Sequence, residues 1–93
     1  MAYITCSRVP GRTIADFNSV VDELGGDPPE GRLAFFVGEA DGALQIVDVW
    51  TTRADSERFA TERLFPAFVR SGVGPGTDSS FVGFDAVLVE GVA

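Results

Sequence analysis

A carboxylate two residues ahead of an indole, in the run Ile46-Val47-Asp48-Val49-Trp50, is the pairing in this chain best suited to chemistry. The rest of the run is apolar and β-branched, which predicts a strand with Asp48 and Trp50 on one face, because side chains alternate with a period of two. A carboxylate held among hydrocarbon has its pKa raised by desolvation, which suits a general base removing a proton from an acidic carbon or a phenol. The indole offers a flat wall for an aromatic ligand and one N–H able to orient a carbonyl. The plainer readings are an Asp48 paired with Arg32 or Arg63 and a Trp50 that only fills the core under a helix.

Other groups have weaker claims. Arg63 and Arg70 lie two turns apart on one predicted helix, and either could hold an enolate or carboxylate oxygen through paired N–H donors, or could simply be solvated. Asn18 has an amide able to bind a ligand carbonyl, and Asp85, mid-strand near the C-terminus, invites the same two readings as Asp48. Cys6 reads as a small buried hydrophobe. The chain has no His, which excludes a His-based nucleophile triad, a His-ligated haem and the common zinc sites. Gly72-Val73-Gly74-Pro75-Gly76 follows a helix, so it reads as a connecting loop and not as a phosphate cradle. The expectation is therefore chemistry without metal or cofactor, done by carboxylate, arginine and aromatic groups around a hydrophobic space.

Ninety-three residues predict one domain, and a domain of that size buries only about 60–65% of the surface its unfolded chain exposes. The formal net charge of −7, fourteen acidic residues against seven arginines, repels phosphate backbones and argues against a nucleic-acid partner. A lone cysteine permits no internal disulfide, and no apolar run reaches eighteen residues. A soluble protein of a reducing cytoplasm, with no membrane association, is expected.

The elements that must position these groups follow from local signals. Ala2–Arg8 predicts a strand, stopped by Pro10-Gly11. Thr13 with Asp16 predicts a capping box, and Ile14, Phe17, Val20, Val21 and Leu24 recur at helical spacing up to Gly25-Gly26. Arg32–Glu39 and Ala43–Thr51 flank Asp41-Gly42, a type I′ hairpin signal. Thr52 with Asp55 caps a second helix running from Arg53 through Phe59, Leu64 and Phe68, with a kink or break near Leu64-Phe65 because Pro66 lacks a backbone donor. Phe81–Glu90 predicts the last strand. The order βαββαβ with right-handed crossovers gives an α+β, ferredoxin-like sandwich: a four-stranded antiparallel sheet with both helices on one side. Both faces of the strands are apolar. Two helices shield one face, so the other calls for a second copy of the chain, and a homodimer is expected.

The run 46–52, then Arg58-Phe59 and Glu62-Arg63-Leu64-Phe65-Pro66-Ala67, resembles the dimeric α+β barrel superfamily, in particular the small antibiotic-biosynthesis-monooxygenase-like proteins. The likeness covers nearly the whole chain: a strand-end Trp, a capped helix and a Leu-x-Pro-Ala break in order. It implies a dimeric α+β barrel with substrate held between sheet and helices. It places the Leu44, Ile46, Asp48, Trp50 face toward that space and Arg70 about where the resembling oxygenases carry an active-site Arg. Quinone-forming members have an Asn four positions before the Trp and a Tyr six after it; here those positions are Ile46 and Ser56.

The expected function is that of a cofactor-independent enzyme on a hydrophobic aromatic or polyketide-like intermediate, by oxygenation or by Asp-assisted cyclisation or rearrangement. Asp48, Trp50 and Arg70 are the candidate catalytic residues, and Asn18, Arg63, Phe59, Ile46 and Asp85 the candidate binding residues. The alternative is a non-catalytic homodimeric binding or accessory protein.

Overall fold

The computed structural model describes residues 2–73, 78–87 and 90. Its elements run β1 (Tyr3–Pro10), α1 (Ile14–Leu24), β2 (Arg32–Ala40), β3 (Ala43–Trp50), α2 (Arg53–Phe59), a π-helical turn (Ala60–Leu64), α3 (Phe65–Ser71) and β4 (Ser80–Asp85). The strands form one sheet in the order β2-β3-β1-β4, with every neighbouring pair antiparallel. This is the expected ferredoxin-like α+β arrangement, with β3 and β1 central.

The caps form as their chemistry dictates. Thr13 and Asp16 exchange hydrogen bonds at the start of α1: the Asp16 amide donates to Thr13 Oγ1 at 3.2 Å and the Thr13 amide donates to Asp16 Oδ2 at 3.0 Å. At α2 the Asp55 amide donates to Thr52 Oγ1 at 3.2 Å, while the Thr52 hydroxyl donates to the Asp55 carboxylate. Asp41 and Gly42 both have positive φ, 53° and 73°, as a type I′ turn requires.

Pro66 leaves its mark upstream of itself. The Phe65 amide bonds to Ala60 O, five residues back, so the chain widens into a π turn before Pro66 enters the first turn of α3, where a missing N–H costs nothing. The expected break at Leu64-Phe65 is the junction between that turn and α3.

β4 is shorter than expected. Its neighbour β1 begins at Tyr3, which pairs with Asp85, and one more bond runs from the Ala86 amide to Ala2 O at 2.8 Å. Leu88 and Val89, expected in this strand, lie outside the described residues, as do Gly74-Pro75-Gly76 of the preceding loop.

Two clusters sit on opposite sides of the sheet. Toward the helices, Trp50 (1% exposed) packs with Tyr3 and Phe59, joined by Leu24 and Leu64. On the other side Val49 packs with Ala2 and Ala86, joined by Ile4 and Ala34. Around that second cluster Phe36 (60%), Val82 (57%) and Phe84 (46%) lie open to solvent.

Candidate functional site around Asp48

The register of the sheet builds the site. Asp48 on β3 stands opposite Thr5 on β1 and opposite Phe35 on β2, and directly opposed residues share a face. Trp50 and Ile46 flank it along its own strand. Phe17 of α1 meets Phe35 from above, ring centroids 5.8 Å apart, so Asp48 lies among aromatic and aliphatic groups.

Two polar atoms there are buried without a hydrogen-bond partner: Asp48 Oδ1 and Trp50 Nε1. Native interiors rarely tolerate such groups, and a pair of them two residues apart calls for an explanation. Burial pushes the Asp48 carboxyl up to about 6 from an ordinary value of 3.8, against the opposing influence of the Arg32 charge. The two residues offered as its ion-pair partners do not pair with it. Among the described residues no cation comes within 4.0 Å of Asp48, and Arg63 is engaged elsewhere.

Arg32 reaches this face through an irregularity. Ala34 pairs with Val49, but Arg32, and not Leu33, pairs with Trp50, so Leu33 is the extra residue of a β-bulge. In strict alternation with Phe35, Leu33 would point to the helices and Arg32 away from them. The bulge reverses this, and the Arg32 guanidinium lies 4.3 Å from the Phe35 ring centroid and 5.8 Å from that of Phe59, a cation–π arrangement. Burial lowers the pKa of this guanidinium, with Asp48 raising it and Arg63 lowering it further.

The remaining candidates divide. Phe59 is buried, with its ring 5.4 Å from the indole at 41°, and Ile46 is half-buried on the same face as Asp48. Asp85 shares that face too, across Tyr3 from Trp50, but is exposed. Asn18 is exposed on α1, next to Phe17 in sequence but off the turn that meets the sheet. Arg63 donates to Leu24 O at 3.0 Å and Asp27 O at 2.8 Å, tying the end of α1 and the following loop to the π turn, and its guanidinium lies 5.6 Å from the Phe59 ring centroid. Arg70, named as a catalytic candidate, has a different occupation in the structure. It bonds to the Glu23 carboxylate at 3.2 Å and to Glu23 O at 2.9 Å, clasping α3 to α1.

Sequence reasoning missed Thr5 and Phe35, and offered Arg32 only as an ion-pair partner of Asp48. The first two follow from register: counting back from Asp41-Gly42 brings Phe35 opposite Asp48. The bulge at Leu33 has no comparable local signal. Tyr3 was also missed; its ring covers Gly83, where a Cβ would collide with the phenol oxygen.

A groove of about 140 Å³ lies beside α2, lined by Phe59, Arg58, Arg63 and the carboxylates of Glu30, Asp55 and Glu62. A second, of about 300 Å³, lies at the β2–β3 hairpin between Arg12, Thr13 and Glu39. Neither is lined by Asp48 or Trp50, but Phe59 bridges the first groove and the indole.

No family model and no curated protein matches the chain. Solved structures do match, over nearly full length and at low identity. A protein from Chloroflexus aurantiacus, provisionally described as an antibiotic biosynthesis monooxygenase, aligns at 16% identity and a TM-score of 0.73, covering 100% of both chains. A variant of SnoaB from Streptomyces nogalater, a cofactor-independent oxygenase, aligns at 12% identity and a TM-score of 0.68, covering 95% of each chain. Rv0793 from Mycobacterium tuberculosis aligns at 12% identity and a TM-score of 0.71, covering 97% of this chain and 98% of its own.

Proposed function

The fold is that of the antibiotic-biosynthesis-monooxygenase-like proteins, and from it and the site we propose that this protein is a cofactor-independent enzyme acting on a hydrophobic, aromatic or polyketide-like intermediate. The observation that carries the reading is the unpartnered pair, Asp48 Oδ1 and Trp50 Nε1, on the helix-facing side of β3. With a pKa of about 6, Asp48 is roughly nine-tenths ionised at pH 7 yet basic enough to take a proton from a phenol or an enolisable carbon. The indole N–H would hold a ligand carbonyl and its ring would stack the aromatic system. Proton removal leaves a carbanion or phenolate, the common entry to oxygenation, cyclisation and rearrangement.

A homodimer belongs to the same proposal. Phe36, Val82 and Phe84 lie exposed on the sheet face away from the helices, with Ile4, Cys6 and Val47 half-buried among them, and a second copy of this chain would cover them. The described residues contain no helix long and apolar enough to cross a membrane, and the lone Cys6 fits a reducing cytoplasm.

A non-catalytic binding role is the second reading. It is favoured by the tight Trp50–Phe59 contact and by two grooves that stop short of Asp48. A panel of aromatic polyketides, followed by Trp50 fluorescence and product analysis, tests both. Quenching with turnover that Asp48→Asn abolishes supports the enzyme. Quenching without turnover supports the binding protein, and unchanged emission across the panel removes both.

A further inference from the structure

Arg32 has no hydrogen bond or ion pair from its guanidinium to any described residue, although it is half-buried on the site side of the sheet. Its guanidinium carbon lies over the Phe35 ring, 4.3 Å from the centroid, and its N–H groups are left unspent among the described residues. It is near enough to Asp48 for each to feel the other's charge and too far to pair. A cation and a carboxylate held apart over an aromatic floor, each with idle hydrogen-bonding capacity, form a receptor for a group that gives up a proton on one side and gains negative charge on the other. Arg63 is the other cation facing this region, and its guanidinium is committed to Leu24 O and Asp27 O.

We propose that Arg32 is the oxyanion-holding residue of the Asp48 site, so that the ligand is an acid with a neighbouring carbonyl, an enolised 1,3-dicarbonyl or an ortho-acylphenol, held as its anion. This rests on Asp48 being the base. The ligand O–H bond breaks and its proton passes to the Asp48 carboxylate, giving the neutral acid. The electron pair stays on the ligand oxygen and spreads into the adjacent carbonyl, and that delocalised oxyanion accepts two N–H bonds from Arg32. The β-bulge at Leu33 is then a device for aiming this cation, which strict alternation would have turned away.

The test uses 1-hydroxy-2-acetonaphthone, whose absorption moves to longer wavelength on ionisation, beside its O-methyl ether, which cannot ionise. With the wild-type protein, the bound phenol should ionise about one pH unit below the free compound. Arg32→Gln should abolish that displacement and, at a pH above the free compound's own ionisation, weaken binding of the phenol about tenfold, leaving the ether's affinity unchanged. Arg32→Lys, which keeps the charge and loses the fork, should recover part of the ionisation shift. If both compounds quench Trp50 and Arg32→Gln alters neither the ionisation nor the ratio of the two affinities, this proposal is wrong while the base reading stands. If neither compound quenches Trp50 in the wild type, the base reading fails and takes this one with it.

Discussion

Replacing Asp48 by Asn should make the protein more stable at neutral pH. The carboxyl is raised from 3.8 to about 6, so between those values the folded state binds more protons than the unfolded one. Wild-type stability therefore falls as the pH climbs through that window and levels off above it. Two units correspond to roughly 3 kcal/mol at most. The carboxylate keeps some contact with solvent, and screening brings the expected figure nearer 1–2 kcal/mol. The amide has the same shape and no charge, so Asp48→Asn should gain about that amount at pH 8 and close to nothing at pH 3.5. In a domain of this length each kcal/mol moves the midpoint by about 5 °C. Urea titrations of both proteins at pH 3.5, 5 and 8, at one fixed protein concentration because the proposed dimer would add to stability, measure the difference directly. A variant less stable than wild type at pH 8, or a difference that ignores pH, would refute the reasoning and mean that Asp48 is favourably paired in its charged form.

Val82→Glu or Phe36→Glu on the sheet face away from the helices should turn a dimer into monomers, read by sedimentation at micromolar concentration; a wild-type chain that is already monomeric there sinks the proposal. In the wild type, Cys6 should react with a thiol reagent several-fold more slowly than in Val82→Glu, checked by stopped-flow absorbance. Gly83→Ala should cost about 1–3 kcal/mol, because the new methyl displaces the Tyr3 ring that covers that position, and Tyr3→Phe should relieve part of the loss in thermal melts. Arg70→Ala should lower stability by about 0.2–1 kcal/mol, as an exposed clasp does, and leave ligand quenching of Trp50 untouched; a large loss of affinity would return Arg70 to the site.

What the chain announced locally, the structure contains. Capping at Thr13 and Thr52, the Asp41-Gly42 turn and the strand alternation around Asp48 are each settled by residues within a few positions of one another, and the fold class follows from their order. The site is half legible for the same reason. Asp48 and Trp50 could be put on one face because they are two apart on one strand, whereas Arg32 could not, since one added residue at Leu33 reverses the side to which it points. The acceptor that Arg70 takes, Glu23, was not legible because it is forty-seven positions away and comes near only when α1 and α3 lie side by side. The end of β4 was overrun because strand propensity continues past Asp85, whereas ladder pairing among the described residues stops where Asp85 meets Tyr3.

The π turn at 60–64 sets the phase of everything around it. Phe59 is buried under the sheet and Ala67 is fully buried further along, eight positions later. Eight residues of uniform α-helix rotate through about 800°, which would swing the second anchor about 80° away from the first; absorbing one residue in a wider turn reduces the offset to about 20°. The distortion ahead of Pro66 thus works as a vernier, letting one rod turn both a Phe and an Ala inward, where both are buried. The same eight residues wound as a uniform α-helix would be straighter and would have to give up one of those two footholds.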